Sequence, residues 1–170
     1  AFEEIYVWSG VYFNQFYYES GMSKESRKIV EDGLAQGLFT ESLGAMGINN
    51  PKVSHAPFFM LRKSNGETLY AAKDLALAAQ KMHDYPDHKR HIIVVDVRQT
   101  DHFKHVALTL GKMGTPPEYI PERLHYKRVE LPDGPLSVCK GNIVPFQTLR
   151  EQMVAHIRKE YLDVHKGDWS

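Results

Sequence analysis

The chain has 170 residues, enough for a single domain with a real core, and its 42% hydrophobic and 25% charged residues match globular proteins in aqueous surroundings. Lys plus Arg equals Asp plus Glu at 21 each, so no whole-chain field draws in nucleic acid, and any RNA contact must come from a local patch or from neighbouring proteins. The single cysteine, Cys139, excludes an internal disulfide, and no apolar run approaches the roughly 20 residues that span a bilayer.

Residues 1–8 suit a short helix, and Gly10-Val11-Tyr12-Phe13 a strand after a glycine turn. Ser23 is placed to cap a helix over 24–36, whose apolar face carries Ile29, Val30 and Leu34 and which Gly37 ends. Residues 40–56 read as irregular, with Gly44, Gly47 and Asn49-Asn50-Pro51. A strand over 57–62 follows, and Asn65-Gly66 signals a two-residue hairpin turn leading to Thr68-Leu69-Tyr70. Leu75, Leu77, Ala78 and Met82 mark an amphipathic helix over 73–83. The β-branched run at 91–95 predicts a strand covered on both faces. A helix over 101–113, a strand over 124–131 and a long helix over 146–162 complete the chain.

Strand, helix, strand, helix, strand is the order of a parallel α/β sheet flanked by helices, here partial and Rossmann-like. Ligands of such sheets sit at the carboxyl ends of strands. Two strand-to-helix junctions fall there, Leu69-Tyr70-Ala71-Ala72-Lys73-Asp74 and Val95-Asp96-Val97-Arg98-Gln99. Tyr70, Asp74 and Gln99 can converge on a guanidinium: a carboxylate accepts its paired N–H groups while a phenol and an amide fix its plane. From the residues alone the preferred reading is that Tyr70 packs and Asp74 caps the first turn of its helix.

The order of short motifs resembles the second half of the catalytic domain of arginyl-tRNA synthetases, class I enzymes with a Rossmann core. The resemblance runs over residues 2 to 155. Phe2-Glu3-Glu4-Ile5-Tyr6 with Gly10-Val11-Tyr12-Phe13 and Tyr17-Tyr18-Glu19-Ser20 is similar to the family's "F..IY..LGV.FD.YYGES", with Ser9, Asn14 and Tyr18 departing from it. Ser42-Leu43-Gly44-Ala45 matches "S.GA", Lys63-Ser64-Asn65-Gly66 before Leu69-Tyr70 resembles "KSDG..LY", and Val95-Asp96 with Arg98-Gln99 and His102-Phe103 resembles "VD.RQ..HF". The resemblance implies that Tyr70, Asp74 and Gln99 hold the arginine side chain.

The same comparison implies a changed ATP side. No "HIGH" motif occurs in these residues. The loop that reads "KMSTRKGN" in many relatives aligns with Pro135-Leu136-Ser137-Val138-Cys139-Lys140-Gly141-Asn142, which leaves Ser137, Lys140, Gly141 and Asn142 as its remnant. Pro135 stands in place of the leading lysine and Cys139 in place of the arginine, where phosphate charge needs a cation. The family's "H..FG" appears as His125-Tyr126-Lys127-Arg128-Val129. Lys127, Arg128 and Lys140 either contact an RNA backbone or form a solvated surface.

His83, His88 and His91 share a loop with Asp84 and Asp87, and His102 and His105 sit three apart on a helix, but no regular ligand spacing predicts a metal. Cys139 has no base partner for nucleophilic catalysis. The expectation is therefore an arginyl-tRNA synthetase homologue without ligase activity: a structural or RNA-contacting component of a larger ribonucleoprotein, such as an organellar ribosome. It would be mitochondrial or cytoplasmic, with other protein subunits and tRNA or rRNA as partners, and with neither cofactor nor membrane. The alternative is a portion of an active or split arginine-tRNA ligase that uses ATP, and a third reading is an arginine sensor.

Overall fold

A computed structural model describes residues 2–53, 56–127 and 145–167. The chain divides into two units, Ala1–Lys127 and Arg128–Ser170. In the first, α1 (Phe2–Ser9) is followed by an irregular stretch in place of the strand expected at residues 10–13. A strand needs a partner for its backbone groups. Here the aromatic side chains fold back on α1 instead, with Phe13 edge-on to Tyr6 at 4.9 Å between ring centroids and to Phe16 at 5.5 Å.

A 3-10 turn, Glu19–Met22, runs into α2 (Ser23–Ala35). Ser23 lies inside the helix rather than capping it, because the turn already supplies the entry; its carbonyl accepts from Ser26 Oγ at 3.0 Å. Gly37 stops α2 as expected, at a φ of 69°. The segment 40–56, expected to be irregular, contains a hairpin of β1 (Thr40–Ser42) and β2 (Ala45–Asn49). Leu43 and Gly44 take φ of 51° and 77°, as a two-residue type I′ turn requires. Leucine lacks the turn signature of Asn or Gly, so the hairpin leaves no local signal.

β2 pairs antiparallel with β3 (Phe58–Arg62), giving a three-stranded sheet in the order β1-β2-β3. The turn after β3 is a three-residue loop, not the expected two-residue one: Lys63 N–H donates to Glu67 O at 2.9 Å, and Gly66 holds a φ of 86°. Thr68 bridges back to Arg62 and, buried, hydrogen-bonds Ser26 of α2 at 3.2 Å. These ties fix where α3 (Tyr70–Asp84) begins.

β4 (Ile92–Asp96) and β5 (Glu122–Tyr126) form a parallel pair connected through α4 (Thr100–Lys112). The α/β class thus holds, but among the described residues the parallel sheet has two strands, and β3 belongs to the antiparallel one. β4 is also not covered on both faces: Val95 is buried, whereas Ile92 and Val94 are 47% and 61% exposed. The β-branched run fits a strand with two covered faces, and this unit supplies the cover for one.

The core joins α2, β2, β3, α3 and α4 through Val30, Ile48, Leu61, Leu75 and Leu110. In the second unit, α5 (Phe146–Ile157) continues into a π turn, Arg158–Leu162, which agrees with the long helix expected there.

Two buried histidines make stability pH-dependent. His105 lies flat against Phe59, 4.6 Å between centroids, and its Nδ1 is 3.2 Å from Asn50 Nδ2. His91 Nδ1–H donates to Tyr119 O at 3.2 Å. Burial lowers both pKa values from 6.5, opposed in part by backbone hydrogen bonds to Tyr119 and Ala56. The unfolded chain then binds more protons than the folded one below the unfolded pKa, so the contribution present above about pH 6.5 is lost as pH falls through the folded values. The melting temperature should drop between pH 7.5 and 5.5, and a His105→Gln variant should show a shallower drop.

Candidate functional site

α3 has two faces. Ala71, Ala72 and Leu75 turn into the core, while Tyr70 and Asp74, four residues apart, share the outward side. The first turn has no side-chain cap; Leu69 is the N-cap residue. Asp74 is therefore not a capping carboxylate. Its Oδ2 accepts instead from His102 Nε2–H of α4 at 2.6 Å. An ionised carboxylate only accepts, so the imidazole proton on this bond belongs to Nε2.

The segment before α2 closes over this face. Tyr17 Oη–H donates to Asp84 Oδ2 at 2.7 Å at the far end of α3, a bond that raises the phenol pKa and lowers that of the carboxylate, on which His83 acts more strongly still. Lys73 Nζ bonds Glu19 Oε1 at 2.7 Å. The result is a cleft of about 220 Å³ lined by Tyr17, Tyr18, Glu19, Tyr70, Lys73 and Asp74. Glu19 is paired with Lys73 and the Tyr17 hydroxyl with Asp84, which leaves the Asp74 carboxylate facing the cleft with Tyr18 and Tyr70, beside the apolar Met22 and Leu77. Such a lining favours a flat cation with several N–H donors over an anion.

Asp74 also lines a second cleft of about 280 Å³, between α3, α4 and β4, with Lys81, His91 and Phe103. Burial pushes the Lys81 pKa down, and the nearby Asp74 charge partly opposes this. At the end of β4, Asp96 is already committed: it holds Arg98 through two side-chain bonds of 2.9 Å and the Arg98 backbone N–H at 2.8 Å.

Tyr70 and Asp74 are thus brought together. Gln99 is exposed at the N-cap of α4, one turn before His102, and lines neither cleft. The group that reaches Asp74 from α4 is His102, which sequence reading weighed as part of a signature and, with His105, against a metal site; a contact between residues 28 apart on two helices leaves no spacing signal. Tyr17 and Glu19 were missed for the same reason. His102 and His105 have separate partners, Asp74 and Asn50. Ser137, Cys139, Lys140, Gly141 and Asn142 lie outside the described residues, as does Pro135.

A parallel strand pair joined through α4 and flanked by further helices is a Rossmann-like arrangement, the core that class I aminoacyl-tRNA synthetases share. The family model for "tRNA synthetases class I (R), catalytic domain" matches residues 5–161. The chain belongs to this family of arginyl-tRNA synthetase catalytic domains. It is 41% identical over 170 residues to an arginine–tRNA ligase of Bdellovibrio bacteriovorus, covering 99% of this chain and 29% of that protein. With the corresponding ligase of Bacteroides thetaiotaomicron the identity is 30% over 178 residues, covering 99% and 28%. The chain therefore spans less than a third of these relatives. Arginyl-tRNA synthetase from Plasmodium falciparum shares the fold, with a TM-score of 0.73 over 97% of this chain and 27% of that one, at 18% identity. Among the described residues no helix is long and apolar enough to cross a membrane.

Proposed function

We propose that this chain supplies the guanidinium-recognising portion of an arginine–tRNA ligase, which charges tRNA with arginine using ATP. The observation that carries the reading is the Asp74 carboxylate, pinned on one oxygen by His102 and facing a cleft shared with Tyr70. A carboxylate has about four lone-pair sites, so one hydrogen bond from His102 leaves room for the fork of a guanidinium. Tyr70, whose ring meets the His102 imidazole at 4.8 Å and a tilt of 46°, supplies an aromatic wall. Gln99 and the ATP-loop residues Ser137, Lys140, Gly141 and Asn142 complete the assignment by resemblance.

The test is an NMR titration of the 170-residue chain with arginine, citrulline and lysine. Arginine should bind with a dissociation constant on the order of millimolar, as one bidentate ion pair and a ring contact provide. Citrulline has the same shape without the charge and should not bind. Equal shifts from citrulline and arginine would remove the reading.

A second reading rests on Cys139, which replaces a cation in the ATP loop. In it the chain keeps the fold but not the activation chemistry, and acts as a structural or RNA-contacting subunit of a ribonucleoprotein, with Lys127, Arg128 and Lys140 toward RNA. Arginine-dependent pyrophosphate exchange by the purified chain would end that second reading.

A further inference from the structure

We infer that His102 is a positioning residue for arginine recognition: its Nε2–H holds the Asp74 carboxylate in the plane that a guanidinium needs. The inference rests on the pocket reading above and deepens it.

A free aspartate turns about two torsions, and each arrangement it samples away from the productive one weakens a two-point contact. Asp74 projects from an outward helix face with its side chain 29% exposed, where the helix alone does not fix it. The 2.6 Å bond from His102, whose side chain is only 13% exposed, does. His102 is in turn clamped by rings: Phe59 of the buried core at 5.5 Å, Phe103 at 4.9 Å and Tyr70 at 4.8 Å. Order passes from the core through Phe59 to the imidazole and on to the carboxylate. The same imidazole touches both Tyr70 and Asp74, so it sets the spacing between aromatic wall and anion. His102 occupies Oδ2, which leaves Oδ1 and the second lone pair of Oδ2 for the ligand. This is the support that a precise site requires from residues that do not themselves touch the ligand.

Two variants separate the hydrogen bond from the packing. H102F keeps a ring between Phe59 and Tyr70 but has no donor. H102Q loses the ring yet presents an amide N–H at a similar reach. By NMR titration with arginine, H102F should bind about tenfold more weakly, as loss of one charge-assisted hydrogen bond implies, and H102Q, which restores a donor without the ring clamp, should recover part of that loss. Thermal melts should show the opposite order, with H102F the more stable. In a D74N background, H102F should cause no further loss of binding. If H102F binds arginine as the parent does, or H102Q binds as weakly as H102F, the inference falls while the pocket reading stands. A parent chain that takes up no arginine overturns both.

Discussion

Replacing Asp74 with asparagine is expected to weaken arginine binding about tenfold or more while shifting the melting temperature by little. The two side chains have the same shape. The asparagine carbonyl can still accept from His102 Nε2–H, so the tie between α3 and α4 survives. What changes is the surface offered to the ligand. An amide group would turn N–H donors toward a guanidinium that has only donors, and the compensating charge would be gone. Asp74 is partly open to solvent, so removing its charge costs about 1.5 kcal/mol or somewhat more, which is roughly tenfold or greater in affinity. The melt should hardly respond, because Asp74 neither caps α3 nor sits in the core. NMR titration and a thermal melt on the same sample decide the matter. A collapsed melt with unchanged arginine affinity would make Asp74 a structural residue.

The elements that carry this pocket were legible because each rests on a local pattern. The 3.6-residue spacing of Leu75, Ala78 and Met82 is visible without a partner, and the β-branched run at β4 announces a strand. The spacing puts Asp74 on a helix over 73–83 but leaves Tyr70 at the end of a strand; the helix begins at Tyr70, and only that start sets the two residues on one side of α3. Other features needed distant contacts. The β1–β2 hairpin turns on Leu43, a residue that does not mark type I′ turns, and is held by pairing with β3. Residues 10–13 have strand composition but meet aromatic side chains rather than a neighbouring edge. His102 could be placed next to Asp74 only once α3 and α4 were packed. The sequence of β4 reports a covered strand, yet Ile92 and Val94 stand open in this unit. A β-branched run reports strand propensity as much as burial, and in β4 the propensity is met while Ile92 and Val94 stay open.

The residue next to Asp74 should give the reverse outcome. Leu75 is 0% exposed, on the core face of the same helix, where it packs in the cluster with Val30, Leu61 and Val106. Truncation to alanine removes buried methyl groups and leaves a cavity that helices tied on both sides close only in part. The expected loss is about 3 kcal/mol, within the range for buried leucines. For a unit of this size that lowers the melting temperature by roughly 10 °C. Chemical denaturation should show a lower midpoint with an unchanged slope, the sign of lost stability rather than an altered unfolded state. Well below the melt, L75A should still bind arginine within a few-fold of the parent, because Tyr70, Asp74 and His102 keep their mutual contacts on the far side of the helix. Adjacent positions would then separate the two jobs of α3, with Leu75 anchoring the helix and Asp74 recognising the ligand. A large loss of arginine affinity in folded L75A would instead show that the geometry of the cleft depends directly on the packing beneath it.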